Sequence, residues 1–206
     1  MSGADAPARR TQAERTATTR NALADAAIEV LVERGWAAVT VVEVCERAGV
    51  TRGAFHHHYD SLPELLADAL RRIYATMDPA TVRPATDLAG LIDATWRAIA
   101  NPRFKAVIEA WLAMANDPTL LTEIGPVVAE FAGLVNPTGK APTILVDDAH
   151  RDYFLMARET LLGLALGRAT NGGRALGHEK RVLAALRSGA IALDPRTENR
   201  RTTHDR

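Results

Sequence analysis

The chain has 206 residues, enough for one compact body or two small, closely packed domains. Its formal charge is zero, 25 Lys and Arg against 25 Asp and Glu, so no overall basic field announces a polyanionic partner. No run approaches the ~18–20 uninterrupted apolar residues of a membrane-spanning helix, and a single cysteine, Cys45, excludes an internal disulfide framework and fits a reducing, cytoplasmic setting.

Residues 1–10 are small, polar and proline-containing, which predicts a disordered arm carrying Arg9 and Arg10. Its charge is followed by no apolar stretch, so it does not read as a secretory signal. Thr11 and Glu14 have capping-box spacing and predict the start of a first helix. Leu23, Ala26, Ala27, Val30 and Leu31 then recur on one face until Gly35 stops it, and Trp36 is expected to plug the core beneath.

The next stretch, Thr40 to Tyr59, reads TVVEVCERAGVTRGAFHHHY. Thr40 and Glu43 form a second capping box, and Val41, Val44, Cys45 and Ala48 supply one apolar face. Gly49 follows the last periodic residue, where the left-handed conformation that ends a helix costs glycine little. Thr51 can cap another short helix carrying Arg52, Gly53, Ala54, Phe55 and three histidines. Two short helices about a turn form a helix-turn-helix, whose second helix enters the DNA major groove. Ser61, Pro63 and Glu64 then open a fourth helix with Leu65, Leu66, Ala69, Leu70 and Ile73 on its buried face.

The motif T-V-x-x-V-x-x-x-A-G-V-T-x-G-A-F, preceded by a helix ending in E-R-G-W, resembles the tetracycline-repressor (TetR) family of transcriptional regulators over roughly residues 12–75. The resemblance implies a helix-turn-helix domain, here residues 11–76, linked by the fourth helix to a regulatory one. It places His56 where the family usually carries a phosphate-binding tyrosine, and His57 at another common contact. With the physical reading, the DNA-contacting set is Thr40, Thr51, Arg52, Gly53, His56, His57 and Tyr59. Arg52 suits a bidentate contact to guanine O6 and N7, Gly53 permits close approach, and Thr40 offers a hydroxyl and an N–H to phosphate. Two positions depart from the pattern: Tyr59 replaces the usual phenylalanine, and Leu62 stands where a phosphate-binding lysine is common. Residues 1–75 hold nine arginines, no lysine and ten acids, a balance of −1. A shallower salt dependence than that of a lysine-bearing relative follows, because fewer counterions are released.

Pro79 and Pro84 interrupt the pattern and put a domain boundary near residues 77–86. Beyond it, over residues 86–193, every periodic segment is helical, so the fold class is all-α: an N-terminal three-helix helix-turn-helix domain and a C-terminal helical ligand-binding and dimerisation domain. Asn101-Pro102 and Asn116 to Pro118 separate two amphipathic helices, Gly125-Pro126 suggests a kink in the next, and residues 136–142 read as loop. A long helix from Asp147 or Asp148 to about Asn171 is apolar on more than one face, as a helix buried on both sides is. A last helix runs from about His178 to Leu193, and residues 194–206 are predicted to be a disordered tail. The resemblance implies that these two final helices pair with their symmetry mates in a homodimer.

Trp96, Phe104, Ile108, Trp111, Met114, Phe131, Tyr153 and Phe154, with Arg158 as polar anchor, have the composition of a pocket for a small apolar or aromatic effector. That such a pocket exists is implied mainly by the resemblance. No metal site is expected: His56, His57 and His58 are helical neighbours about 100° apart, and Asp148, His150 and Asp152 diverge likewise. No nucleophile elbow, phosphate loop, zincin or dinucleotide motif occurs, so neither an enzyme nor a cofactor is expected. The expectation is a ligand-responsive repressor acting as a homodimer on a palindromic operator. Its rival is a helical ligand-binding or assembly protein with weakened or lost DNA binding, favoured by the neutral N-terminal half and Leu62.

Overall fold

The computed structural model describes residues 12–77, 85–135 and 144–193. All regular structure among them is helical: α1 (Gln12–Arg34), α2 (Val41–Ala48), α3 (Arg52–His58), α4 (Leu62–Ala75), α5 (Leu88–Ile99), α6 (Phe104–Met114), α7 (Pro118–Val135), α8 (Asp148–Thr170) and α9 (Glu179–Leu193), with a 3-10 turn at Trp36–Ala38. The expected arm at residues 1–10, Thr11 as a cap, the loop at residues 136–142 and the tail at residues 194–206 lie outside the described residues.

The short helices start where a side chain takes up an orphan backbone donor. Thr40 Oγ1 accepts from Glu43 N–H at 3.1 Å, Thr51 Oγ1 from Ala54 N–H at 3.1 Å, and Ser61 Oγ from Glu64 N–H at 3.2 Å. The box at α4 closes one residue early, with Glu64 Oε2 accepting the N–H of Asp60, just before the Ser61 cap, at 2.8 Å. At α2 it is only half made: the Glu43 carboxylate turns instead to Arg34 at 2.6 Å and Arg47 at 3.9 Å. Asp87 and Asp147 cap α5 and α8 in the same way.

With seven and eight residues, α3 and α2 are too short to persist alone in water, where about 12–15 residues are needed for marginal stability. They hold their shape by packing on α1, through Val44, Cys45 and Phe55, all buried. Burying a side chain such as Phe55 contributes about 1.5–3 kcal/mol, enough to fix a two-turn helix. The Cys45 thiol is part of that packing, and burial pushes its pKa up, against the pull of Arg52.

α4 is the hinge of the architecture: it packs on α1 through one face and on α7 through another. A second tie is formed where α6 meets the 3-10 turn and α1, while α5 lies against α8 and α9. The buried residues of all nine helices join in one continuous core. α7 runs through Gly125-Pro126 as a single helix. On α8 the second apolar face is uncovered in the single chain: Met156 and Leu166 are exposed, as is Ile191 on α9.

Candidate nucleic-acid interface

Gly49 takes the left-handed conformation (φ 67°, ψ 32°) that reverses the chain between α2 and α3. The turn is closed by Val50 N–H on Cys45 O at 3.0 Å. Phe55 roots α3 in the core, and its ring meets His56 edge-on at 5.1 Å. The opposite side of α3 then faces outward: Thr51, Arg52, Gly53, His56 and His57 are all exposed, and Thr40 is exposed at the start of α2. Both threonine oxygens accept cap bonds but keep a hydroxyl proton to donate. A Cβ on Gly53 would meet only Thr51 Oγ1, at an ordinary 3.7 Å. Nothing inside the protein therefore requires glycine there, and its small size matters only to something that approaches from outside.

The near-neutral charge of this region has a structural resolution. Arg47 bonds Glu33 at 2.6 Å and lies 3.7 Å from Glu29, and Arg34 bonds Glu43. Arg20 and Arg72 converge on Asp68, and Arg72 also reaches Asp25 at 3.5 Å. These four arginines brace α1 against α2 and α4. Arg52 is exposed at the first position of α3 and, among the described residues, forms no ion pair.

Tyr59 corrects the expected DNA-contacting set. It is 1% exposed, and its hydroxyl donates to Asp68 Oδ2 at 2.6 Å and lies 3.4 Å from Arg20 O, with the Arg20 guanidinium over the ring. Burial raises the phenol's pKa, and the bond to Asp68 raises it further. Asp68 itself is held below the usual carboxylate range: burial works against this, but the Tyr59 hydroxyl, Arg72 and Arg20 outweigh it. The hydroxyl added by the change from phenylalanine thus points into the domain and ties the end of α3 to α4. Leu62 is half-buried against the same core.

A feature without a signal in the local pattern joins α1 to α6. Glu109 Oε2 accepts the Trp36 backbone N–H at 2.6 Å, and its other oxygen pairs with Lys105. Trp36 is half-buried at this junction. Gly35 just before it has φ 84° and ψ 176°, a region essentially restricted to glycine.

The expected effector residues lie in or against the common core but make different specific contacts. Phe104, Trp111 and Phe131 come together, with ring centroids 5.7 Å apart for Phe104–Trp111 and 6.5 Å for Phe104–Phe131. Their neighbour Tyr74, which the sequence pattern does not single out, stacks on Phe131 at 4.1 Å. Trp96 instead lies under Arg168, and the Tyr153 hydroxyl donates to Leu186 O at 2.9 Å on α9. Arg158 pairs with Glu159 beside it on α8. Phe154 is fully buried, Met114 nearly so, and Ile108 is half-buried. A cavity of about 270 Å³ is present, but it shares only Phe104 with this set.

Among the described residues, the Tyr74 hydroxyl and the Trp111 indole N–H are both buried without a completed hydrogen bond. Burial pushes the Tyr74 phenol up to about 12, weakly opposed by the Trp111 N–H. Stranded polar groups cost about 1–3 kcal/mol each. Tyr74→Phe is therefore expected to leave stability unchanged or raise it by up to about 1 kcal/mol in chemical denaturation; a clear loss would mean that the hydroxyl has a partner after all.

Comparison with known proteins adds the following. A family model described as "Bacterial regulatory proteins, tetR family" matches residues 23–69. The HTH-type transcriptional regulator CymR of Pseudomonas putida is 32% identical over 121 residues, 55% of this chain and 60% of the relative. The chain thus spans well under two thirds of that protein. The HTH-type regulator TtgW of Pseudomonas putida, itself uncharacterised, is 34% identical over 100 residues, 48% of this chain and 70% of the relative. Among solved structures, the multidrug binding protein EbrR complexed with ethidium superposes with a TM-score of 0.61 at 22% identity, over 82% of this chain and 96% of that one. At that identity the likeness speaks for the fold.

Proposed function

Because the chain belongs to the TetR family of bacterial regulatory proteins, we propose that it is a transcriptional repressor that binds a palindromic operator as a homodimer and releases it in response to a small ligand. The observation that carries this reading is the outer side of α3. Arg52 stands there exposed and, among the described residues, free of acid partners, beside a glycine that no described contact requires, while Arg20, Arg34, Arg47 and Arg72 hold the domain together. Thr40, Thr51, His56 and His57 complete the contacting surface. In this reading residues 11–76 form the DNA-binding domain and residues 86–193 the regulatory one.

Met156, Leu166 and Ile191 support the homodimer: they are exposed apolar side chains on α8 and α9 that a second copy of the chain could bury. Binding of ethidium by EbrR, a protein of the same fold, supports a small apolar or aromatic effector. Among the described residues no helix is long and apolar enough to cross a membrane, in keeping with a cytoplasmic site of action.

The test is selection of bound genomic fragments, followed by titration of the selected operator with Arg52→Ala. A bidentate arginine–guanine contact is worth about 1–3 kcal/mol, so affinity should fall by roughly 5- to 150-fold while the melting temperature and the dimer persist. The salt slope should stay unchanged if Arg52 reads a base and drop by about one if it takes a phosphate. Failure to select any sequence would favour the second reading, a helical ligand-binding or assembly protein, which the near-neutral charge of residues 1–75 supports. Leu62→Lys should steepen the salt slope by about 0.9, as one more phosphate is neutralised; an unchanged or shallower slope would show that α4 does not meet the DNA backbone.

A further inference from the structure

The cavity noted above lies where the two halves of the chain meet. Val32 of α1 closes one side, Phe104 and Lys105 at the start of α6 another, and Ala165, Ala169 and Arg168 of α8 a third. At about 270 Å³ it is close to the lower end of the size range of small-molecule sites. Its wall holds two cations, Lys105 and Arg168, one amide, Asn101, and no acid; every other lining residue is apolar or glycine. Each cation keeps donors in reserve. Lys105 gives one of its three protons to Glu109, and Arg168 meets Glu179 through Nε at 3.5 Å, with its guanidinium 5.7 Å from the Trp96 ring centroid.

We propose that this cavity binds a small amphipathic carboxylate, its hydrocarbon body against the apolar wall and its oxygens on Lys105 and Arg168. A neutral ligand of the same shape would leave the spare donors of both cations unused, since Glu109 and Glu179 each engage only part of their hydrogen-bonding capacity. The site borders the aromatic cluster, sharing Phe104 with it, but is not lined by Trp111, Phe131 or Tyr74. Its position also supplies a route to the DNA-binding half. The carboxylate competes with Glu109 for Lys105, and Glu109 is the group that holds Trp36 N–H at the end of α1. For its regulatory consequence the proposal rests on the repressor reading; for its binding step it does not.

The test is calorimetric titration of the full chain with octanoate and 3-phenylpropanoate, each against its primary amide. Both acids are expected to bind, with the amides at least about tenfold weaker, the effect of a charge-assisted hydrogen bond. Lys105→Gln and Arg168→Gln should each weaken the acids by about tenfold and leave the amides unchanged. Ala169→Leu, which fills the cavity without touching a charge, should abolish binding of both. The proposal is overturned if neither acid binds at millimolar concentration, if acid and amide bind alike, or if Ala169→Leu leaves the acids bound. Acid binding with no selectable operator would uphold the site and remove the repressor reading; operator binding with no acid binding would do the reverse.

Discussion

Gly35→Ala is expected to lower the free energy of unfolding by about 2–4 kcal/mol, combining backbone strain with the loss of a charge-assisted hydrogen bond. At φ 84° and ψ 176° an alanine is strained whatever space surrounds it. The new Cβ would also lie 2.9 Å from Glu109 Oε2, so the carboxylate must swing away from Trp36 N–H. Glu109→Ala removes the same bond without the strain and should cost less, about 1–3 kcal/mol. Because both changes break one contact, the double variant should be more stable than the sum of the two singles implies. Denaturant titrations of the four proteins measure this directly. A Gly35→Ala protein within about 0.5 kcal/mol of the parent, the range of ordinary surface changes, would show that the backbone relaxes and the tie between α1 and α6 contributes little.

Asp68→Ala should be comparably damaging, at about 2–3 kcal/mol, since it strands a buried hydroxyl and takes a shared carboxylate from two arginines. Tyr59 would keep only Arg20 O, 3.4 Å away, as an acceptor. Tyr59→Phe is the informative companion. Alone it should cost about 1 kcal/mol, the net value of one hydrogen bond, and placed on Asp68→Ala it should restore stability, because no polar atom is then left without a partner. The pH dependence has a definite sign. Asp68 is held below the ordinary carboxylate range in the folded chain, so its contribution is present above the unfolded pKa of about 3.9 and is lost as pH falls through the folded value. The gap between parent and Asp68→Ala should therefore close in acid. A gap that persists there would mean that Asp68 acts by packing rather than by charge. Operator affinity should fall with stability in this variant, since the tie being cut runs from the end of α3 to α4.

The capping signals are the part of this fold that can be read from the chain itself. Thr40, Gly49, Thr51, Ser61 and Pro63 act on backbone groups within a few residues, so the two short helices and their turn are legible in sequence. Periodicity likewise marks Leu31, Val44 and Leu65 as inward-facing, but it does not say what each meets. Tyr59 shows the limit: its aromatic character near a DNA-binding turn suggests a surface contact, yet its partner is Asp68, nine positions on and on another helix. Glu109 and Trp36 are 73 positions apart, and only the packing of α6 against α1 brings them together. The aromatic residues of the C-terminal half suggest a single pocket because composition carries no position. In space Tyr74 joins three of them, Arg158 turns to Glu159, and the cavity opens beside a different set of side chains.

The internal bracing of Arg20, Arg34, Arg47 and Arg72 bears on how such a regulator would search a chromosome. Non-specific attachment to DNA draws almost entirely on positive charge at the surface, and here four of the nine arginines in residues 1–75 are already paired with acids of the same domain. In the repressor reading proposed above, each pairing lowers the attraction to unrelated sequence and leaves more of the protein free to find its operator. Occupancy then depends on the ratio of specific to background affinity rather than on raw attraction. A weak grip on DNA in general is, for this protein, a way to stay available for one site.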